Sequence, residues 1–204
     1  MEITPNTLNS LLIELGDLLS LEDFNPVEWV VCGGAALALQ KLQSRATQDI
    51  DVLADWNATD LTVMCIKEFP AKLKDCIQRV VANHPELEGL KSKWINLGPA
   101  RIAAGGLPEG FEERLTKITF GDKLTLHLLG REDLLTLKLY AAADDQGPRR
   151  EIHYHDLKAL NPTFKELDTA IDWITKRTDF EKIHMGLRDT IRELGHEELI
   201  QYIY

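Results

Sequence analysis

Residues 29–53 read WVVCGGAALALQKLQSRATQDIDVL. The run begins inside Val27–Cys32, a short apolar stretch preceded by the turn pair Asn25-Pro26, which is the pattern of a buried strand. Gly33-Gly34 ends that strand, and Ala35–Leu42 has strong helix propensity. Asp49–Leu53 reads as a second strand. Side chains at i and i+2 of a strand share a face, so Asp49 and Asp51 project together while Ile50 and Val52 turn to the core. Two carboxylates side by side repel each other unless a cation lies between them. Hard oxygen ligands suit Mg²⁺, which binds through one or two carboxylates together with substrate phosphates. A Gly-Gly pair opening a helix presents free backbone N–H groups to a phosphate, with no Cβ to hold it off. Each feature alone has an ordinary reading: a tight turn for the glycines, a solvated strand edge for the aspartates. In this order, on one strand–helix–strand unit, they are the parts that phosphoryl or nucleotidyl transfer requires.

Outward from this unit, Thr4-Pro5 reads as a helix N-cap followed by proline in the first turn. Leu8, Leu11, Leu12, Leu15, Leu18 and Leu19 then recur at helical spacing, predicting a helix over 5–20. Downstream, helices are expected over 59–68 and 71–83, a weak strand over 94–97, and a Gly/Pro-rich loop over 98–110. Leu115–Phe120 and Lys123–Leu129 alternate around Gly121-Asp122, predicting a hairpin. A helix is expected from Gly130 through Tyr140, followed by helices near 153–160, 164–177 and 180–193 and a short one over 197–204. The fold class expected is α+β: a small mixed sheet flanked by helices, with a helical C-terminal region. The division expected is an N-terminal helix over 1–24, a core over 25–160 and a helical region over 161–204.

The chain has 204 residues, 44% hydrophobic and 27% charged, the values of a globular protein with one core or one core and an appendage. Its net charge is −10, from 33 acidic and 23 basic residues, which argues against broad, sequence-independent nucleic-acid binding. Six carboxylates precede the first basic residue, Lys41. The N-terminus is acidic and lacks the basic region of a signal peptide, and no apolar run is long enough to span a bilayer. Cys32, Cys65 and Cys76 form no CxxC, so free thiols in a cytoplasmic protein are expected. The leucine-rich N-terminal helix has no cations for anionic lipid, so a core or partner-facing role is expected rather than membrane contact.

VVCGGAALAL followed by Arg45-x-Thr47-x-Asp49-Ile50-Asp51-Val52 resembles the signature of the nucleotidyltransferase superfamily of polymerase-beta-like fold, hG[GS] then Dh[DE]h. That superfamily includes minimal nucleotidyltransferases, aminoglycoside nucleotidyltransferases and AbiEii-type toxins. A longer resemblance, to a bacterial branch of it, runs through WINLGP from Trp94, LPEGFEER from Leu107, DLLTLKLYA from Asp133 and HYHDLKALNPTFKELDTAIDW from His153. The resemblance implies that Gly33 and Gly34 bind nucleotide phosphates. It implies that Asp49 and Asp51 hold Mg²⁺ or Mn²⁺ and that a hydroxyl acceptor attacks the α-phosphate of an NTP. Arg45 and Thr47 match the R-x-T that precedes the aspartates in relatives. Arg45 would neutralise phosphate or orient an aspartate by a salt bridge; Thr47 would bind nucleotide, pack in the strand or donate a supporting hydrogen bond. Lys138, among apolar neighbours on its helix, would bind the triphosphate or snorkel at the surface.

Many active members carry a third carboxylate on a later strand. The strand expected to hold it, Leu124–Leu128, contains no acid, and Thr125 and His127 share a face there. His127 would serve as a base in its place, or is an ordinary strand histidine. His153 and Asp156 stand at i, i+3 and would meet on one helix face, as accessory contacts to nucleotide or acceptor or as a local helix contact. The leading expectation is transfer of NMP to a protein or RNA hydroxyl, in the setting of a toxin–antitoxin component with a cognate partner protein. The competing expectations are a degenerate module that binds nucleotide or partner without turnover, and a phosphohydrolase using the same metal pair.

Overall fold

In the computed structural model, which describes residues 2–43, 46–85, 87, 94–144, 147 and 149–203, β1 (Val27–Cys32) is the central strand of a mixed sheet. It runs antiparallel to β2 (Ile50–Asn57) on one side and parallel to β6 (Leu124–Leu128) on the other. β5 (Thr116–Phe120) closes the edge beyond β6 as the expected hairpin. The other edge of β2 is shared. β3 (Thr62–Met64) pairs with its C-terminal half, while β4 (Ile95–Asn96) runs parallel to its first two residues. The α+β architecture read from the sequence is therefore present.

Two compact units make up the chain, residues 1–130 and 131–204. The expected boundary at 24 is absent, because α1 (Pro5–Leu21) packs within the first unit. Thr4 caps α1 through the Thr7 N–H, and Pro5 occupies the first turn. Leu8, Leu11, Leu12, Leu15 and Leu19 are fully buried along the stripe that the spacing predicted. Gly16 of α1 passes so close to the Phe120 carbonyl that no side chain would fit there. α2 (Gly33–Leu39) and α3 (Ala71–Ala82) flank α1. Trp94, fully buried, donates its indole N–H to the Ile77 carbonyl of α3 and so anchors the approach to β4.

The helix expected over 59–68 does not form. Asn57 accepts from the backbone N–H groups of Thr59 and Asp60, an Asx turn that competes with helix initiation. Leu61 follows in the left-handed region at φ 53°, and the β-branched pair Thr62-Val63 then returns as β3. The loop expected over 98–110 contains a short helix, α4 (Ala100–Ala104), which packs on β2.

The second unit is built on α5 (Arg131–Asp144), buried along most of its length and packed by α6 (Arg149–Leu160), α7 (Phe164–Thr175) and α8 (Phe180–Glu193). This is why the expected boundary at 160 is not found: α6 packs on α5 and belongs with the helices that follow it. Thr163 and Glu166 form a capping box at the start of α7. Arg131 joins Glu166 at 2.8 Å and donates to the Leu160 carbonyl at 2.7 Å, tying three helices at one end. Burial raises the Glu166 carboxyl, but hydrogen bonds from Arg131 and Thr163 outweigh it and hold the group below its ordinary value. A 3-10 helix, Glu197–Tyr202, occupies the place of the short helix expected at the end.

Candidate functional site

A register change builds the site. β1 and β2 pair regularly at Trp29–Asp55 and Val30–Ala54, then slip by one residue between Val30 and Val31. Such a bulge re-aims the side chains beyond it. After the slip Cys32 faces Asp51, so the glycine that follows Cys32 meets the Asp51 side chain. Ile50 and Val52 are fully buried, while Asp49 and Asp51 are half-buried, as the strand alternation predicts.

Gly33 has φ +73°, a conformation that side-chain-bearing residues rarely adopt. A Cβ at this position would overlap Asp51 Oδ2. Two independent constraints thus require glycine here: the turn from β1 into α2, and the space taken by the carboxylate. Gly34 follows in the first turn of α2, which is only 7 residues long.

On the other side of β2 the register pairs Asp51 with Asn96. The Asn96 amide donates from Nδ2 to Asp49 Oδ2 at 3.0 Å and to Asp51 Oδ1 at 3.2 Å. Its Oδ1 accepts from the Gly98 N–H at 2.7 Å. Asp49, Asp51, Gly33 and Asn96 are therefore the residues brought together. The oxygen donors of two neighbouring carboxylates fit a hard divalent cation such as Mg²⁺ or Mn²⁺. Among the described residues, no group of three His, Cys, Asp or Glu side chains is placed to hold a metal.

Asn96 was not among the residues singled out from the sequence. The expected place of a third polar group was β6, but β6 lies beyond β1 from the aspartates. The strand that reaches them is the two-residue β4. The available signal was a polar residue inside WINLGP, between Trp94 and a Gly-Pro pair.

Thr47 is buried, and its hydroxyl donates to the Asp49 carbonyl at 3.0 Å. Its backbone bridges to Ile3 in both directions. This is the packing and supporting place, which steadies the backbone just ahead of β2. Arg45 lies outside the described residues.

His127 is buried on β6 with Nε2 2.7 Å from Glu28 Oε2, and its ring lies 5.1 Å from that of Trp56. It is a hydrogen-bonded sheet histidine on the β6 side of β1.

In the second unit Lys138 does not snorkel. It is 6% exposed, with Nζ 2.6 Å from Asp156 Oδ2, and Asp156 is 1% exposed. Asp156 thus engages a lysine on α5, while His153 is half-buried one turn earlier on α6. Taking both charges out of water is costly, and their close pairing is what offsets that cost.

No helix among the described residues is long and apolar enough to cross a membrane. No curated protein matches the chain. The fold is similar to that in the crystal structure of an antigenic nucleotidyltransferase-like protein from Paracoccidioides brasiliensis. The TM-score is 0.51 at 13% identity, over 98% of this chain and 95% of that one. At that identity the likeness concerns the fold alone. The model of one family matches residues 7–192, nearly the whole length, and the chain belongs to that family, described as nucleotidyltransferase of unknown function (DUF6036).

Proposed function

We propose that this protein is a divalent-cation-dependent nucleotidyltransferase that moves an NMP group from an NTP to a hydroxyl of a protein or RNA. The observation that carries the reading is the packing of Gly33 against the carboxylate of Asp51, with Asp49 beside it. A strand-to-helix glycine held against a paired carboxylate is what a triphosphate and its cation need on one small surface.

In this proposal Asp49 and Asp51 hold Mg²⁺ or Mn²⁺. When bound, that cation supplies charge neutralisation and polarisation at the phosphates. Gly33 gives the Asp51 carboxylate its place, Gly34 would admit the phosphates to the backbone, and Arg45 would offset their charge. Thr47 keeps the Asp49 backbone in place. The acceptor oxygen forms its bond to the α-phosphorus as the bond to the bridging oxygen breaks. Pyrophosphate departs with the electron pair, and the acceptor proton passes to a base. The resemblance to AbiEii-type proteins makes a toxin–antitoxin setting, with a cognate partner protein, the class in which the acceptor is to be sought.

A second reading is a module that binds nucleotide without turnover. The observation favouring it is that an amide, Asn96, stands on the strand next to the aspartates, where a third carboxylate would complete a metal site.

The test incubates the protein with Mg²⁺ or Mn²⁺ and each α-³²P-NTP in turn, with cell lysate and total tRNA as acceptors. Label transfer that disappears in Asp51→Ala supports the first reading, and the size of the labelled species identifies the acceptor class. Metal-dependent NTP binding without transfer selects the second.

A further inference from the structure

Asn96 bridges Asp49 and Asp51 through one side-chain nitrogen. Its Nδ2 carries two hydrogens and lies within hydrogen-bond distance of one oxygen from each aspartate. The orientation of the amide is determined by its other end. The Gly98 backbone N–H can only donate, so the atom facing it at 2.7 Å is the carbonyl oxygen. The nitrogen is thereby turned to the two carboxylates, which only accept when ionised. Gly98 itself is constrained by this contact, since a Cβ there would stand 2.9 Å from Asn96 Oδ1. The pairing of Asp51 with Asn96 across β2 and β4 places the amide by main-chain hydrogen bonding.

An amide nitrogen is no metal ligand, because its lone pair is delocalised into the carbonyl. Where it touches both carboxylates, it competes with a cation instead of helping to bind one. We infer that Asn96 is a clamp that stands in for the cation between Asp49 and Asp51 and gives way when metal enters, so that it weakens the affinity of the site for free divalent ions. The clamp lowers the repulsion between the aspartates in the metal-free protein and must release at least one hydrogen bond on loading. A cation that arrives with a nucleotide brings phosphate oxygens as further ligands and displaces the clamp more readily than a bare ion. Asn96 is in this sense a positioning residue that favours loading of metal together with substrate. The inference rests on the metal-binding part of the proposed function and is independent of whether transfer occurs.

The experiment measures Mn²⁺ affinity by calorimetry and electron paramagnetic resonance, and urea stability in EDTA, for wild type, Asn96→Ala, Asn96→Asp and Asp51→Asn. Asn96→Ala is expected to be less stable without metal and to bind Mn²⁺ about tenfold more tightly, the same free energy, about 1.4 kcal/mol, appearing in both readouts. Asn96→Asp is expected to lose more metal-free stability, to regain it with Mn²⁺, and to bind the ion more tightly than Asn96→Ala. Asp51→Asn is expected to bind Mn²⁺ more weakly than wild type. Weaker Mn²⁺ binding in Asn96→Ala would make Asn96 a ligand through its oxygen and overturn the inference, as would unchanged affinity. Absence of Mn²⁺ binding in all four proteins overturns it as well, together with the metal reading. Retained Mn²⁺ binding without nucleotidyl transfer would sink the transferase reading alone.

Discussion

Gly33 and Asp51 share one small space: the glycine turns at φ +73° where the carboxylate oxygen fills the volume a Cβ would need. The strand end, the helix start and an acidic side chain are thereby interlocked. Gly33→Ala is expected to destabilise the protein by about 1–2 kcal/mol through the left-handed backbone alone. It is also expected to displace Asp51 and to weaken Mn²⁺ binding about 10-fold or more. Urea unfolding and Mn²⁺ titration check the two effects separately. An alanine variant with wild-type metal affinity would show that Asp51 can move without consequence.

Lys138 and Asp156 form a buried couple within the second unit. Lys138→Met leaves Asp156 buried beside an apolar group, and a loss of about 3–5 kcal/mol is expected. The double variant Lys138→Met with Asp156→Leu is expected to recover most of it, because neither charge is then stranded. A double-mutant cycle by denaturation reads the coupling.

Tyr140 donates to Asp179 Oδ2 at 2.6 Å, and Arg177 packs over the rings of Tyr140 and Trp173. Burial, then the bond to Asp179, pushes the Tyr140 phenol from 10.0 up to about 12. A raised folded value contributes stability that is present below the unfolded value and is lost as pH rises through the folded one. Stability is therefore expected to fall between pH 10.0 and about 12 as the unfolded chain releases this proton. Tyr140→Phe is expected to lack that part of the alkaline fall and to cost about 1.5–3 kcal/mol at neutral pH, for a hydrogen bond to a charged group. Urea midpoints measured across this pH range check both.

Asp55, opposite Trp29 in the sheet, is raised by burial, with a hydrogen bond from Trp29 pulling the other way. Its contribution to stability is present below the ordinary carboxylate value of 3.8 and is lost as pH rises above it. Asp55→Asn is expected to be more stable than wild type at pH 7, with the difference disappearing in acid. Thermal unfolding at several pH values measures it. A variant that is less stable at neutral pH would show that the bond from Trp29 outweighs the burial of the Asp55 carboxylate.

Asp49 and Asp51 could be assigned to one face from sequence because strand alternation is a local, covalent property, and the burial of Ile50 and Val52 agrees with it. The leucine stripe of α1 and its Thr4-Pro5 start were readable for the same reason, since spacing and capping involve only near neighbours. The stretch 59–68 misled because its composition suits a helix, whereas the Asn57 side chain bonds to the following backbone and sends the chain back as a strand.

What the sequence by itself determined was the order of elements around Gly33 and Asp51 and the chemistry those residues bring. Only the tertiary structure decided which strand stands beside the aspartates. Periodicity describes each segment alone, whereas partner choice in a sheet depends on main-chain hydrogen bonds between distant segments. The slip between Val30 and Val31 seats Asp51 by Gly33, and the two-residue pairing of β4 on β2 delivers Asn96. Likewise, Lys138 looked like a lysine stranded among leucines until the packing of α6 on α5 supplied Asp156 as its buried partner.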